Sequence, residues 1–406
     1  MRAFPSVQVT PKAEQALRSG HPWVYEAEIT AVNGTPADGG IVDVYSRKDR
    51  WLGAGYYNSR SKIRVRVISR NANDTFDDAF YARRVRYALD YRKSVMGPDY
   101  TCARLIFGEA DQFPGLTVDR YGDILVTEVL CLGTEQVKGV IYQALADCLA
   151  ADGVPIRAIY ERNEAALREK EGLPQYQGFY SLPGLATGLD GHVEIVENGI
   201  RYNVDYVNGQ KTGFFLDQKY NRAAAARLAA GRRVLDCFTH TGAFALNCAA
   251  GGAEHVTAVD CSQSALDSAA ANAALNGLSD RIDFVKADVF QLLTDLARQP
   301  RGQYDFIILD PPAFTKSSAT IQSAYRGYKE INLKAMKLLP RGGYLATCSC
   351  SRFMEDDNFR RMLSDAAADA DVRLRQIENR RQAPDHPILW GVPETEYLKF
   401  YTFQIV

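Results

Sequence analysis

No run of about eighteen consecutive apolar residues occurs in this 406-residue chain, so no membrane-spanning helix is expected. The opening stretch, MRAFPSVQVTPKAEQ, lacks a basic segment followed by an apolar core, and a cytoplasmic chain without a secretory leader is the expectation. Cysteine is sparse and scattered, eight in all, which suits free thiols and excludes a disulfide framework. The five histidines are dispersed and no Cys/His ligand spacing occurs, so no metal site is expected. Internal repeats and low-complexity tracts are missing too. Hydrophobic residues at 46% and charged residues at 24% exclude an intrinsically disordered chain. An excess of either charge is also absent, since 48 basic residues face 49 acidic ones for a net charge of −1.

That balance conceals an uneven distribution. Between Tyr45 and Arg70 lie Arg47, Lys48, Arg50, Arg60, Lys62, Arg64, Arg66 and Arg70 against the single acid Asp49. In Ile63-Arg64-Val65-Arg66-Val67-Ile68, arginines alternate with β-branched residues, the period-two pattern of a half-buried strand that points both arginines to one face. Tyr45, Trp51, Tyr56 and Tyr57 lie close by. A basic run of this kind is either a solvated strand face or, with its aromatics, a platform for a phosphate backbone and unpaired bases. A second basic cluster, Arg83, Arg84, Arg86, Arg92 and Lys93, follows on a helical pattern.

Length favours two or three domains. Residues 1–72 read as short strands broken by turns, with one helix over 12–19 ending at Gly20, which suggests a small β-barrel-like module. Residues 73–185 combine a helix over 77–96, strands over 104–107, 116–120 and 124–130, a helix over 135–150 and a strand near 156–160. The Gly- and Pro-containing stretch 182–191 marks the second boundary. Over 186–406, strands at 233–238, 255–260, 281–287, 304–310 and 343–348 alternate with helical patterns, and two more strands follow at 373–379 and 398–406. Such alternation implies a parallel α/β sheet with helices on both faces.

In a doubly wound sheet, ligands bind outside the carboxyl ends of the strands. The first strand ends at Asp236 and runs through Phe238 into Thr239-His240-Thr241-Gly242-Ala243-Phe244, where Gly242 permits close backbone approach at a helix start. One glycine is too few for the G-x-G-x-x-G fingerprint, which weighs against NAD or FAD. Asp260 ends the second strand, placed to accept from ribose hydroxyls, and Asp288 follows the third, near an adenine. One acid after each of three successive strands is the arrangement of an S-adenosylmethionine site; each acid could equally cap the helix that follows it. Phe238 and Phe244 are assigned to the same cofactor.

The fourth strand ends Asp310-Pro311-Pro312-Ala313-Phe314, a rigid, donor-free turn that can hold a carboxylate and an aromatic ring against a flat substrate. D-P-P-x-[FY] is typical of methyltransferases acting on planar nitrogens or bases. The fifth strand runs into Cys348-Ser349-Cys350-Ser351, beside Asp310 in the usual strand order. A thiolate there could add to carbon 6 of a pyrimidine and make carbon 5 nucleophilic, with an acid at ring nitrogen 3. Buried strand cysteines are the alternative for both thiols.

Taken together, Gly20-His21-Pro22-Trp23-Val24-Tyr25, RNEAALREKEGL at 162–173, KTGFFLDQ at 211–218, Asp310 to Phe314, RGYKEIN at 326–332 and Ser349-Cys350-Ser351 resemble bacterial 23S rRNA cytosine-5 methyltransferases of the large-subunit methyltransferase I type. The resemblance spans nearly the whole chain. It implies an N-terminal PUA RNA-binding domain, a central strand-strand-helix-strand-strand α+β domain and a C-terminal Rossmann-like class I domain using S-adenosylmethionine. It further implies Cys350 as the nucleophile with Asp310 as its acid-side partner, and Gln218, Asp236, Gly242, Asp260 and Asp288 around the cofactor. Arg47, Lys48, Arg60, Lys62, Arg64, Arg66 and Lys211 are the expected RNA contacts. The expected partner is 23S rRNA, and a homodimer is admitted. Two departures stand out: Ala313 replaces a frequent lysine, leaving Lys316 as the nearest cation, and Cys348 is an additional thiol that a regular strand would turn to the same side as Cys350. Methylation of a purine nitrogen without a thiol, and a non-catalytic RNA-binding or ribosome-assembly protein, are the rival readings.

Overall fold

Alternating apolar residues draw the first seventy positions into a mixed six-stranded sheet. In the computed structural model, which describes residues 4–315 and 317–406, its strands lie in the order Trp23–Tyr25, Ile63–Ser69, Trp51–Tyr57, Ile41–Ser46, Ser6–Val9, Ile29–Asn33. Ser6–Val9 runs parallel to Ile41–Ser46 and the other neighbours are antiparallel. Val7, Val9, Leu17, Val24, Val44 and Val65 form its core. The helix Pro11–Arg18 begins where the Thr10 hydroxyl accepts from the Ala13 amide, with proline at its first position.

A second sheet follows in the order Tyr176–Phe179, Ala158–Asn163, Ile124–Val129, Leu116–Tyr121, Cys102–Phe107. The helices Asp78–Met96 and Leu132–Ala151 belong to the same module. The basic cluster expected on the first of these helices is largely neutralised. Arg92 is fully buried and pairs with Asp111 at 2.5 Å, while Arg86 and Lys93 share Asp152.

The chain divides into two compact units, one of residues 1–194, 204–216 and 384–395, the other of 195–203, 217–383 and 396–406. A single break near 186 is thus simpler than the packing. Within the first unit, Thr212 donates to the buried Asp119 at 2.5 Å, Tyr121 donates to the Phe214 carbonyl, and Arg92 donates to the Asp385 carbonyl. Buried polar groups recruit these returning segments, and such long-range partners leave no local trace in sequence. The hairpin His192–Glu197 and Ile200–Asp205 carries the chain between the units and was not expected. Its signal was present: strict alternation on both sides of Asn198-Gly199, both residues with positive φ.

The second unit is built on seven strands: β1 (Arg233–Cys237), β2 (His255–Asp260), β3 (Ile282–Lys286), β4 (Phe306–Leu309), β5 (Tyr344–Ser349), β6 (Leu374–Arg380) and β7 (Lys399–Ile405). Their order is β3-β2-β1-β4-β5-β7-β6, with β7 antiparallel to both neighbours and the rest parallel. This is the expected doubly wound class. The accompanying helices are α1 (Lys219–Ala229), α2 (Ala243–Ala250), α3 (Gln263–Leu275), α4 (Val289–Leu296), α5 (Ile321–Leu338) and α6 (Asp356–Asp369). Leu235, Ile307, Leu309, Tyr328, Leu345, Phe359 and Tyr401 lie in its core. Strand order reverses between β1 and β4, which opens the crevice where ligands bind in such sheets. Among the described residues, no helix is long and apolar enough to cross a membrane.

In the first unit, Arg92→Met strands the Asp111 carboxylate with little solvent. A loss of about 3–5 kcal/mol is expected, read as a lower urea midpoint for that unit; an unchanged midpoint would show that the pair carries no stability.

Candidate active site

The loop after β1 is curled by three left-handed residues, Phe238 (φ 65°), His240 (φ 50°) and Gly242 (φ 81°). Only glycine fits the last position, because a Cβ there would lie 2.7 Å from Leu246 and 2.9 Å from Ala269. The curl returns donors to the strand ends. Thr239 Oγ1 and the Ala245 amide both donate to Asp236 Oδ2, at 2.5 and 3.0 Å. The His240 and Ser262 amides donate to the two oxygens of Asp260, each at 2.9 Å. Asp236 Oδ1 is buried and has no hydrogen-bond partner among the described residues. Such an orphaned acceptor is a place for a ligand donor.

Burial pushes Asp236 up to about 7, and the charge of Asp310 adds to the shift. Asp310, at the end of the adjacent strand β4, is pushed up to about 6 by burial and by Asp217; Arg222 and hydrogen bonds from Cys348 and Gln218 act in the opposite direction. Gln218 Nε2 donates to Asp310 Oδ1 at 3.0 Å, and Asn221 in turn holds the Gln218 carbonyl at 2.7 Å. Two of the expected cofactor residues have partners within the unit. The Asp288 side chain is exposed and caps α4 by accepting from the Gln291 amide. Phe244 is buried and stacks on Phe400, so its ring supports the loop from within the core. Phe238 is half-buried against the core.

On the other side of Asp310, the Pro311-Pro312 turn carries Phe314, whose ring centroid lies 4.5 Å from that of Tyr328. Lys316 lies outside the described residues. Strand β5 ends at Ser349, so Cys350 stands just past the strand, half-buried, with Sγ 3.9 Å from the Pro311 carbonyl oxygen. Cys348 is inside the strand and fully buried, and burial together with Asp310 pushes its thiol well up. The two thiols therefore differ in burial, with Cys348 inside the strand and Cys350 just past its end, although both lie beside the Asp310-Pro311 turn. Ser349 donates to Tyr328 at 3.1 Å and Ser351 to the Thr315 carbonyl at 2.7 Å, which fixes the backbone on both sides of Cys350.

Sequence reasoning missed Lys399. It pairs across the sheet with Ser349 and is buried, its Nζ donating to the Ser351 and Tyr397 carbonyls at 2.6 and 2.9 Å. Burial lowers it to about 8, while Cys350 pulls it the other way. A lysine in the otherwise apolar-aromatic run Leu398-Lys399-Phe400-Tyr401 was the available signal.

Comparison with known proteins gives this geometry a family. A model described as S-adenosylmethionine-dependent methyltransferase matches residues 185–395, and a PUA-like domain model matches residues 7–70. The chain is 41% identical over 398 residues to Ribosomal RNA large subunit methyltransferase I of Photobacterium profundum, covering 97% of this chain and 98% of that one. It is 42% identical over 397 residues to the Aeromonas hydrophila protein of the same name, with the same coverage. The chain belongs to the ribosomal RNA large subunit methyltransferase I family. A putative SAM-dependent methyltransferase from Streptococcus mutans shares the fold, with a TM-score of 0.81 and 24% identity over 98% of this chain and 99% of that one.

Membership makes the second unit an S-adenosylmethionine-dependent methyltransferase, and the residues fit that group. Asp236 and Asp310 are desolvated acids suited to a cationic ligand, Gly242 keeps the loop open to close approach, and Asp260 sits at the strand end next to it. When bound, the cofactor supplies an electrophilic sulfonium methyl. The structure also corrects part of the expected RNA surface. Arg64 pairs with Glu26, and Arg66 pairs with Glu171 at 2.8 Å and lies 3.8 Å from Glu109. Both arginines are thus paired within the first unit, Arg66 with a buried glutamate and Arg64 with an exposed one, rather than forming a free cationic face. Arg47, Lys48, Arg60, Lys62 and Lys211 are exposed.

Both acids titrate above their ordinary 3.8. A cationic ligand favours the ionised forms, so binding should release protons and affinity for S-adenosylmethionine should rise from pH 5 to about 7, then level off. For the unliganded fold the sign is reversed: the folded carboxyls hold protons that the unfolded ones have lost, so stability falls as pH rises through that window. Calorimetry in buffers of different ionisation enthalpy checks the first statement, and a pH-independent affinity contradicts it. Lys399→Met should lower the Cys350 alkylation rate at pH 7 roughly tenfold, whereas Lys399→Arg should retain most of it. Peptide-resolved mass spectrometry reads both.

Proposed function

We propose that this chain methylates carbon 5 of a cytosine in 23S rRNA, using Cys350 as nucleophile and Asp310 as the acid-side partner. The observation that carries the reading is the position of Cys350, outside the strand, half-buried, beside the Asp310-Pro311 turn and with the Lys399 ammonium behind it. The relatives' printed name, Ribosomal RNA large subunit methyltransferase I, supports the substrate.

Carbon 5 of cytosine is a poor nucleophile until something adds at carbon 6. A Cys350 thiolate adds there, and the electron pair of the 5,6 double bond moves toward ring nitrogen 3. Asp310, whose proton affinity burial raises, can hold in place the proton that comes to that nitrogen and so stabilise the enamine-like adduct. After carbon 5 has taken the methyl, loss of its proton restores the double bond and expels the thiolate. Lys399 holds the backbone that carries the sulfur and favours its anionic form. Phe314 and Tyr328 form an aromatic wall at the same rim. Asp236, Asp260, Asp288, Gly242 and Gln218 are the cofactor residues in this reading, with Phe238 at the loop edge.

Residues 1–72 act as the PUA RNA-binding part, 73–185 as the central part and 186–406 as the methyltransferase part. Arg47, Lys48, Arg60, Lys62 and Lys211 are the contacts to RNA. The enzyme works in the cytoplasm, where its thiols stay reduced. Assembly as a homodimer is part of the same reading, and sedimentation equilibrium tests it.

Cys350→Ala should abolish methyl transfer to transcribed 23S rRNA while Cys348→Ala retains most of it, with nucleoside mass spectrometry showing 5-methylcytidine as product. A methylated purine would replace this reading with the nitrogen-methylating one, and full activity of Cys350→Ala would sink the covalent mechanism.

A further inference from the structure

Three arginines take no part in the chemistry above. Arg18 ends the helix Pro11–Arg18, Arg50 precedes the strand Trp51–Tyr57, and Arg70 follows the strand Ile63–Ser69. They converge on one concavity of about 310 Å³, whose remaining lining is Leu17, Trp51 and Leu52. No acid lines it. Among the described residues, none of the three guanidiniums has a carboxylate partner. Acids near Arg50 and Arg70 in sequence are engaged elsewhere: Asp43 accepts from Trp51 Nε1 at 2.8 Å, Asp49 from Gln8 Nε2 at 2.7 Å, and Asp74 from Ser69 Oγ at 2.5 Å. Partial burial without a counter-charge holds Arg70 below the ordinary arginine range. Arg64 and Arg66 on the same sheet show the contrast, since each has its own glutamate.

Like charges gathered without counter-charges repel one another, and an anionic ligand relieves that repulsion. Arg70 also lines an adjoining concavity of about 230 Å³ together with Trp390 and Glu109, and the Glu109 carboxylate is engaged by Trp23 Nε1 at 2.9 Å and by Arg66 at 3.8 Å. Trp390 is 92% exposed, an apolar ring left in water beside a guanidinium. A positively charged groove next to an open aromatic face is the arrangement that tracks a single-stranded backbone and stacks its bases.

We propose that the cleft formed by Arg18, Arg50 and Arg70 binds the phosphodiester backbone of single-stranded RNA, with Trp390 stacking an unpaired base beside it. The inference rests on the reading of this chain as an RNA methyltransferase and gives that reading a docking site, which takes Arg50 and Arg70 from the basic segment and joins them to Arg18 and Trp390 from outside it.

The test is fluorescence anisotropy of a dye-labelled, mixed-sequence single-stranded RNA oligonucleotide with the full-length protein over a series of KCl concentrations. Wild-type affinity should fall with salt. The triple variant R18Q/R50Q/R70Q should bind at least about tenfold more weakly, with a log–log salt slope smaller by about two, as expected for three lost phosphate contacts on a single strand. Trp390→Ala should weaken binding about tenfold with its slope unchanged, and should lose the quenching of protein fluorescence by RNA. All these side chains are exposed, so thermal midpoints and S-adenosylmethionine binding should match the wild type. Equal affinity and slope in the triple variant, a salt-independent wild type, or a preference for phosphatidylglycerol vesicles over the oligonucleotide would each overturn the proposal. Methyl transfer to transcribed 23S rRNA keeps the two readings apart. Transfer with an unchanged KM in the triple variant removes the cleft and leaves the enzyme. Arginine-dependent binding without any transfer removes the enzyme and leaves the cleft.

Discussion

Two carboxylates, Asp236 and Asp310, end neighbouring parallel strands where the order of the sheet reverses, and burial keeps both partly protonated near neutral pH. Placing two acids side by side in a water-poor crevice is unfavourable, and much of the surrounding structure answers to it. The left-handed loop after β1 returns the Thr239 hydroxyl and the Ala245 amide to Asp236. Gln218, itself held by Asn221, reaches Asp310. What these donors leave unmet, Asp236 Oδ1 above all, is the opening for a cationic cofactor. The methyltransferase unit is in this sense an incomplete polar network that its ligand finishes.

The same logic separates the two cysteines. Cys348 lies within β5, where desolvation and the Asp310 charge both oppose ionisation. Two residues further the strand has ended, the chain is half-buried, and the Lys399 ammonium, bonded to the Ser351 carbonyl, interacts with the thiol. One strand terminus thus converts an inert thiol position into one suited to nucleophilic attack.

Much of the architecture was legible because periodicity is local. The seven strands of the methyltransferase sheet, their alternation with helices and the acids at their ends all follow from residues close in sequence. The hairpin at Asn198-Gly199 was equally legible and was overlooked beside a Gly- and Pro-containing stretch. The basic segment misled in part. Alternation correctly put Arg64 and Arg66 on one face of a strand, yet it carries no information about what faces that strand. Glu171, more than a hundred residues away, turns Arg66 into a buried pair.

Composition, periodicity and motif spacing by themselves determined the α/β class, the crevice at the strand ends and the Asp310 turn beside two candidate thiols, while the choice of Cys350 between them came from the family resemblance. Each of these depends on which residues follow one another along the chain. Tertiary structure alone decided which charges are spent on folding and which remain for a ligand. Arg66 and Arg92 are neutralised by distant acids, whereas Arg18, Arg50 and Arg70 meet around one concavity with none. It also decided that Asp288 caps a helix, that Phe244 packs inside, and that Lys399 stands behind Cys350. The physical reason is that a charge is defined by its surroundings. Desolvation and counter-charges come from segments far apart in sequence, and only folding brings them together.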